Sequence, residues 1–442
     1  MPEIQARTFK GTRDFLPEDM YVRDKIIAVL KSVFIRYGFA PLETPAVEYL
    51  DILTGKYGEE ADKLLYPLAY KGGKELALRY DLTVPLARVV AMNPHLIKPF
   101  KRYQIQQVWR ADSPQLQRGR YREFYQCDVD TVGSSELLAD AEIVALMVDV
   151  FTELAIGEAQ VRFNSRKVLK GIISGIGFPT GSEQDVCRSV DKLEKEGTQT
   201  VKAELISKGY GKTLVEQFSA LLMQRVFGHE GITLLRRTVQ STPALDEGLG
   251  EIETIRTILD EMDVPPESAV FDFTLARGLD YYTGPIFEAD LIDKPHIGSV
   301  AGGGRYDDLV GLFLKESIPA VGVSFGLERI FSIKKSDSGA QADVNSSLDC
   351  LVSFFSIDQR ADCLKIVREL RNGGVRTELY YKPDSIKKQF SYADKKRIPY
   401  VIVYGPDEQK AGVITVKNMK TGIQESVPRL QLLTLIKQLL TH

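Results

Sequence analysis

The chain has 442 residues, of which 44% are hydrophobic and 26% are charged, and its formal net charge is −3. That length is too great for one hydrophobic core, so two or three domains are expected. No apolar run approaches the roughly 18 residues that cross a bilayer, which excludes a membrane protein, and the charge leaves only local basic patches for nucleic acid.

The N-terminal segment lacks the apolar core of a signal peptide and carries several acids, which predicts a cytoplasmic protein. An amphipathic helix is predicted next, over residues 21–37, because apolar side chains recur there at helical spacing. These side chains are Val22, Ile26, Val29, Val33 and Tyr37. Farther along, Pro41 and Pro45 confine the chain to extended segments near a sheet edge or an interface.

Residues 99–132 alternate as strand, loop and strand, which predicts a long antiparallel hairpin with a wide loop. An apolar-periodic helix is predicted over 135–156. A helical insertion is expected at about 170–262, because that region has helical patterns but no cluster of chemically reactive residues. Strand signals return over 268–332.

The C-terminal part of the chain is set off by residues 334–347, which are polar, small and charged and therefore read as a linker. Residues 348–442 alternate between strand and helix patterns. This alternation predicts a small α/β domain on a mixed or parallel sheet. The predicted division is therefore a domain at 1–333, a linker and a domain at 348–442.

The predicted hairpin is rich in arginine. Its arginines are Arg102, Arg110, Arg118, Arg120 and Arg122. A solvated basic hairpin would account for them by composition, but a guanidinium beside Trp109, at the end of an apolar strand, is costly to bury unpaired. The period of the return strand puts Phe124, Gln126, Asp128 and Asp130 on one face, which is polar where a core face should be apolar.

Guanidinium forks match phosphate oxygens, and an aromatic ring offers a platform for a base. The hairpin therefore predicts a site for a ligand with phosphate and cationic groups. A second basic element is AGGGRYDDL at 301–309, followed by Arg329 near a helix start, which could reach a terminal phosphate. The alternative for this element is a tight turn with a surface salt bridge.

Asp81 and Thr83 stand at alternate positions and could hold an ammonium group, although a turn or helix cap is the simpler interpretation. The segment ARGLDYYTG, 276–284, adds an arginine and two tyrosines, and Asp280 within it receives no role. The four histidines lie outside all these segments, so a catalytic triad is not expected. Catalysis would depend on positioning and charge stabilisation, as in nucleotidyl transfer.

A metal site is not expected from the cysteines. They show no CxxC spacing and no neighbouring histidines, and they are Cys127, Cys187, Cys350 and Cys363. Buried free thiols are predicted.

Taken together, these motifs resemble the class II aminoacyl-tRNA synthetases, and within that family the histidine-specific branch, over nearly the whole chain. GTRDFLP and the unit ending at Pro45 resemble the opening and the dimer-forming motif 1. VWRAD, SPQLQRGR and YREFYQCDVD resemble motif 2, and AVGVSFGLERI resembles motif 3. ARGLDYYTG resembles a signature of the histidine-specific members.

The resemblance implies an α/β fold: a class II catalytic domain on an antiparallel sheet with a helical insertion, and a small C-terminal anticodon-binding domain. It implies ATP-dependent activation of L-histidine to an adenylate and transfer of histidine to tRNA(His). ATP as substrate, Mg²⁺ and a homodimer are expected from the family. A non-catalytic regulatory subunit of ATP phosphoribosyltransferase is the alternative, but such relatives typically lack the anticodon domain.

The resemblance also implies roles for individual residues. The amino end of histidine would be held by Asp81, Thr83 and Gln126. The imidazole would be addressed by Asp130 and Tyr282, with Tyr281 lining the pocket. Some class II enzymes carry glutamate where Asp81 and Asp130 stand, and the shorter acid keeps the charge but changes its reach.

For the catalytic arginines, the resemblance implies that Arg110 contacts the α-phosphate and the histidine carboxylate. Arg277 would bridge the same two groups, where other members use a metal or another cation. Phe124 would stack on adenine. Arg329 would hold the γ-phosphate, with help from Arg118 or Arg120.

Overall fold

A computed structural model of the protein describes residues 5–54, 63–115, 119–277, 282–314, 316–337 and 348–441. These residues form two compact units. The first ends at Asp337, and the second contains residues 348–441.

The helices described in the first unit are α1 (Pro17–Arg36), α2 (Leu50–Leu53), α3 (Thr83–Met92), α4 (Leu137–Leu154), α5 (Arg166–Ile176), α6 (Glu183–Val190), α7 (Leu193–Ser207), α8 (Lys212–Met223), α9 (Gly228–Thr238), α10 (Pro243–Glu261) and α11 (Leu327–Asp337). Its strands are β1 (Ala40–Pro41), β2 (Val47–Tyr49), β3 (Tyr66–Leu68), β4 (Leu76–Leu78), β5 (Phe100–Trp109), β6 (Glu123–Val132), β7 (Ala159–Ser165), β8 (Ala269–Phe271), β9 (Pro285–Leu291), β10 (Ala301–Arg305) and β11 (Ala320–Phe325). Short 3-10 turns span Pro295–Ile297 and Val310–Leu312.

A large sheet organises this unit, with strand order β1-β5-β6-β11-β10-β9-β7-β8 in the described chain. The inner strands are antiparallel, and the parallel pairs are β1 with β5 and β7 with β8, at the two edges. The predicted hairpin is confirmed, since β5 and β6 pair from Phe100 opposite Val132 to Trp109 opposite Glu123. Pro41 lies on the edge strand, as its missing N–H requires.

One face of the sheet carries the hydrophobic core. α1 buries Ile26, Leu30, Val33 and Phe34 there, and each such side chain contributes roughly 1.5–3 kcal/mol. The helix begins at Pro17, earlier than predicted, because proline suits the first helical turn. The predicted helix over 135–156 is confirmed as α4, which packs against the same core.

The middle region is helical, as predicted, from α5 to α10. Its helices share the core of the sheet rather than forming a separate one. α5 and α10 pack very closely at Gly171, where an added Cβ would lie 2.4 Å from the Cα atom of Leu245. A smaller sheet, in the order β2-β4-β3, packs with α2 and α3 over a second cluster that includes Leu53 and Val84.

The sequence left a mixed or a parallel sheet open for the second unit, and the sheet is mixed. Its strands are β12 (Cys350–Val352), β13 (Thr377–Leu379), β14 (Tyr400–Val403), β15 (Val413–Asn418) and β16 (Gln424–Pro428). Its helices are α12 (Arg360–Asn372), α13 (Ile386–Lys395), α14 (Pro406–Ala411) and α15 (Leu432–Leu440), with 3-10 turns at Ile357–Gln359 and Arg429–Gln431. β12 pairs in parallel with β13 and β14, whereas β15 and β16 are antiparallel.

Two details concern the predicted boundaries. α11 continues to Asp337, so residues 334–337, expected in the linker, are helical, and residues 338–347 lie outside the described residues. Within the described ranges, no helix is both long enough and apolar enough to cross a membrane.

Candidate active site

A cavity of about 400 Å³ opens on the second face of the large sheet, over β6, β10 and β11. The strand register sets the polar rows of this face, of which Ser324 and Gly302 line the cavity, because residues directly opposite on antiparallel strands share a face. One row runs across the sheet through Gln104, Asp128, Ser324, Gly302 and Glu288. A neighbouring row runs through Arg102, Asp130, Gly322, Gly304 and Ile286. The polar face predicted for β6 is confirmed.

Glycines in these rows make space for functional side chains. A Cβ at Gly302 would lie 2.3 Å from Nη1 of Arg277, and one at Gly304 would lie 2.9 Å from Cδ1 of Tyr282. The AGGGR segment forms the strand β10, which pairs with β9 and β11. Its interpretation as a tight turn is wrong. Arg305 in that segment lies outside the cavity lining and pairs with the buried Asp140.

Among the described residues, four arginines from distant segments line the cavity. They are Arg110, Arg120, Arg277 and Arg329. Burial, and then the positive charges of Arg277 and Arg120, lower the pKa of the Arg329 guanidinium, which shows that these cations crowd one another. α11 also begins at the cavity wall, with the positive end of its dipole there. The site is therefore electrostatically suited to a polyanion.

Arg277 is held on the cavity floor. It forms an ion pair with Glu288, and its Nη1 donates to Oγ of Ser299 at 2.8 Å. Arg329 donates to the carbonyl oxygen of the same Ser299. The two arginines predicted from separate motifs are thus brought together by one short segment before β10.

Arg110 and Phe124 stand at the hairpin end of the cavity. Nε of Arg110 donates to the carbonyl oxygen of Tyr80 at 3.0 Å, and its guanidinium carbon lies 5.1 Å from the centroid of the Phe124 ring. This pair can stack on a planar base and contact a phosphate.

The remaining hairpin arginines separate in the fold. Arg102 is buried in the sheet, and Arg122 donates to the carbonyl oxygens of Asp112 and Lys10 instead of lining the cavity. Arg118, Tyr281 and Asp280 lie outside the described residues.

The predicted imidazole contacts also lie together. A Cβ at Gly322 would lie 2.1 Å from Oδ1 of Asp130, and Gly322 pairs with Gly304, which lies beneath Tyr282. Asp130 accepts a hydrogen bond from the hydroxyl of Tyr306. Burial raises the pKa of the Asp130 carboxyl, while the charge of Arg102 opposes that shift.

Asp81 is buried just before α3, and Val84 N donates to its Oδ1 at 3.3 Å. Asp81 precedes the N-cap residue Leu82, so this contact ties it to the first turn of α3 without making it the cap residue that the sequence left open. Thr83 is the first residue of α3 and is half-buried. The charge of Asp81 contributes to raising the pKa of Asp128, so this acid lies near the β6 face. Gln126 lines the cavity itself.

One contributor, Glu328 beside Arg329, received no role from the sequence. Glu328 lines the cavity and accepts hydrogen bonds from Arg13 of the GTRDFLP segment and from Arg23 of α1. Arg23 falls on the same helical stripe as Ile26 and Leu30, and a charge on a buried stripe was the available signal. The hydrogen bonds from Arg13 and Arg23 to Glu328 tie the N-terminal segment and α1 to the start of α11.

Metal ligands are sparse around the cavity. Its lining acids are Asp112 and Glu328, and Glu328 is already engaged by two arginines. Within the described residues, no three His, Cys, Asp or Glu side chains are grouped to hold a metal ion. No histidine or cysteine lines this cavity in the part of the chain that the structure describes.

The chain is similar to known proteins over nearly its full length. The model of the histidyl-tRNA synthetase family matches residues 11–330, and that of an anticodon binding domain matches residues 349–439. A histidine–tRNA ligase of Cytophaga hutchinsonii is 41% identical over 440 residues, which is 95% of this chain and 96% of that protein.

Solved structures show the same likeness. The crystal structure of histidyl-tRNA synthetase from Nostoc sp. PCC 7120 superposes with a TM-score of 0.86 at 30% identity, over 99% of this chain and 100% of the other. An ATP phosphoribosyltransferase regulatory subunit/histidyl-tRNA synthetase from Bacillus halodurans has a TM-score of 0.74 at 23% identity, over 89% and 97% of the two chains. At that identity it shows a shared fold alone.

Proposed function

The chain belongs to the histidyl-tRNA synthetase family and is a histidine–tRNA ligase, and from that premise we propose which residues perform its two steps. In the first step the carboxylate of histidine attacks the α-phosphorus of ATP and pyrophosphate leaves. In the second step the terminal ribose of tRNA(His) takes the histidyl group from the adenylate, and AMP leaves. The observation that carries this assignment is the group of four arginines that line the cavity among the described residues, on the sheet face that also carries Asp130.

The nucleophile needs no protein base. A free α-carboxyl group has a pKa of about 3.5 and is ionised at neutral pH. The main task of the protein is therefore to stabilise the negative charge at the α-phosphate during the attack. We assign this task to Arg110 and Arg277 as the two catalytic residues. Arg277 is fixed by Glu288 and Ser299, so its orientation does not have to be set during the reaction.

ATP binding is assigned to the hairpin end and to α11. Phe124 offers its ring to adenine, and Arg110 beside it contacts the α-phosphate. Arg329 and Arg120 take the terminal phosphates, and the crowding of these cations supports that role because a polyanion relieves it. Arg118 remains a candidate for the same contact, as the sequence predicts.

Histidine binding is assigned to the inner end. Asp81, Thr83 and Gln126 hold its ammonium group, and Asp130 and Tyr282 contact its imidazole. Tyr281 is proposed to line the same pocket. A site built to hydrogen-bond the imidazole nitrogens leaves buried polar groups unpaired when another amino acid enters, which lowers the rate by roughly 10⁴ to 10⁵.

Mg²⁺ is proposed to enter bound to the ATP phosphates. Magnesium usually takes one or two carboxylates together with phosphate oxygens and water, so the sparse acids of this cavity do not form a cage for the ion. When bound, it would neutralise phosphate charge.

The second unit is proposed to recognise the anticodon of tRNA(His), and residues 1–333 to form the catalytic domain. A homodimer in the cytoplasm is proposed as well. Val47 and Tyr49 of the edge strand β2 are exposed apolar side chains, which suits a protein interface near the segment that resembles motif 1.

Pyrophosphate exchange into ATP tests this proposal. The full chain should catalyse exchange with histidine and with none of the other nineteen amino acids. Exchange driven by a different amino acid, or absence of exchange with histidine, contradicts the assignment. A regulatory subunit without catalysis would give the second result.

A further inference from the structure

Beneath the histidine end of the cavity lies a buried arginine that the proposed mechanism leaves without a role. Building on the proposed function, we propose that Arg102 is a positioning residue that holds the Asp130 carboxylate ionised and oriented for the imidazole N–H, and that Asp128 competes with Asp130 for it. The three residues are called the Arg102 cluster below. Histidine affinity is therefore set by a residue that need not touch histidine.

The geometry ties Arg102 to Asp130. The two residues are directly opposite on β5 and β6, and Nη2 of Arg102 lies 2.7 Å from Oδ2 of Asp130. Arg102 is 0% exposed and Asp130 is 3% exposed. Nη2 also lies 3.4 Å from the carbonyl oxygen of Leu82, in the segment between Asp81 and α3. The guanidinium therefore contacts both walls of the proposed histidine pocket.

The ion pair between Arg102 and Asp130 leaves several buried polar atoms of the cluster without hydrogen bonds. Among the described residues, Nε and Nη1 of Arg102, Oδ1 of Asp128 and Oδ2 of Asp130 have no hydrogen-bond partner, although these atoms are buried and Oδ2 of Asp130 lies close to Nη2 of Arg102. Within the part of the chain that the structure describes, the amide oxygens Oε1 of Gln104 and Gln126 are unpaired as well. Unpaired buried polar atoms are costly, and their concentration at one place indicates a function.

The charges of the cluster do not balance. Arg102 pairs with Asp130, the buried Asp128 lies two residues along the same strand face, and Asp81 adds a further acid close by. Burial raises the pKa of Asp128, and the negative charge of Asp130 adds to that shift, while Arg102 opposes it. A ligand that brings an ammonium group and an N–H donor complements this excess of acceptors.

The remaining neighbours of Asp130 do not replace the arginine. Tyr306 donates its hydroxyl to Oδ1 but carries no charge, and Gly322 on β11 offers no side chain. Without Arg102, the pKa of the buried Asp130 carboxyl rises, so Asp130 takes up a proton more readily. A protonated carboxyl loses part of its capacity to accept the imidazole N–H, so histidine binding weakens.

The test uses steady-state pyrophosphate exchange on the full chain with varied histidine and varied ATP. The decisive variant is Arg102→Met with Asp128→Asn, because it removes one positive and one negative charge and leaves the formal charge of the cluster unchanged. We expect its KM for histidine to rise by about 10-fold to 100-fold, as expected for a binding contact worth 1.4–2.8 kcal/mol. Its KM for ATP should stay within about 3-fold.

The pH profile gives a second readout that loss of stability does not move. The acid limb of kcat/KM for histidine should shift to higher pH in the double variant, because Asp130 has lost its cation. In the single variant Asp128→Asn it should shift to lower pH, because Arg102 then serves Asp130 alone. Absence of a shift in Asp128→Asn overturns the competition between the acids, even if the double variant fails to fold.

A matched control removes another buried pair of the same type, with Arg305→Met and Asp140→Asn, away from the cavity lining. It should lower the melting temperature with KM for histidine within about 3-fold. The proposal is overturned if the control shows an equal rise in KM for histidine. It is also overturned if a folded Arg102→Met, Asp128→Asn protein keeps its KM for histidine. Absence of histidine-dependent exchange in the unaltered protein overturns the proposed function instead, so the two failures are distinguishable.

Discussion

Arg277 lies directly against Gly302, so that a methyl group on Gly302 would fall 2.3 Å from Nη1 and 2.7 Å from Cζ of Arg277. The obstructing atoms are the far end of a flexible side chain rather than backbone. Gly302→Ala should therefore displace the guanidinium and leave the sheet intact. Misplacement of a catalytic group by about 1 Å can cost roughly 10²-fold.

We expect Gly302→Ala to lower pyrophosphate exchange by about 10-fold to 100-fold with an unchanged circular dichroism spectrum. The matched control is Gly250→Ala on α10, where an added Cβ has no atom within 4 Å. It should retain full activity. Full activity in Gly302→Ala would contradict the placement of Arg277.

Removal of the Arg277 side chain tests its chemical role. Arg277→Ala should lower adenylate formation by about 10² to 10³, comparable to the loss of one charge-stabilising donor. The measurement is single-turnover adenylate formation at saturating histidine and ATP. Turnover close to normal would remove Arg277 from the catalytic residues.

Deletion of residues 349–442 tests the division of labour between the two units. The second unit has its own hydrophobic clusters, so the first unit keeps its core after the deletion. Charging of tRNA(His) should fall far more than pyrophosphate exchange. Equal losses in the two assays would show instead that the second unit is needed for adenylate formation.

Gly171→Ala tests the close packing of α5 on α10. An added Cβ would meet backbone atoms of Leu245 at 2.4 Å, so the helices must separate at a cost of about 1–3 kcal/mol. The measurement is the midpoint of urea unfolding. Gly250→Ala, in open space on α10, should instead stabilise by up to about 1 kcal/mol.

The cysteine thiols should be inert in the native protein. All four are free and buried, as predicted, and burial raises the pKa of Cys350 to about 12 and that of Cys363 to about 11. Burial also raises the pKa of Cys127 and Cys187. Because the thiolate is the reactive form, a thiol reagent at pH 8 should react slowly until denaturant is added. Rapid labelling of native protein would contradict this burial.

Predictions that rest on local geometry agree with the structure. The alternation of β6 placed Phe124, Gln126 and Asp130 on one face, because a strand turns successive side chains to opposite sides wherever it is found. The length of the hairpin and the mixed sheet of the second unit follow from patterns of the same kind. The stripe predicted on α1 is confirmed in part: Ile26 and Val33 are buried and its other members are half-buried against the core, whereas Leu30 and Phe34 were not predicted.

The partners of charged groups could not be predicted in this way. Arg102 and Arg122 were grouped with Arg110 as hairpin arginines, yet Arg102 pairs with Asp130 in the sheet and Arg122 holds the N-terminal segment. The local sequence pattern does not distinguish these positions. The partner of each arginine depends on the side chains that distant segments place beside it. The same holds for Glu328, whose two arginine partners come from the beginning of the chain.

The sequence by itself therefore determined the hairpin, the helical middle region, the α/β pattern of the second unit, the family and the residue types of the site. The tertiary structure decided which guanidiniums share one cavity, which glycines admit them, and which arginine lies under the histidine end. The physical reason is the distance along the chain over which each interaction acts. Periodicity and turn chemistry depend on a few neighbouring residues. Ion pairs and steric space depend on segments such as β5, β10 and α11, which meet only after folding.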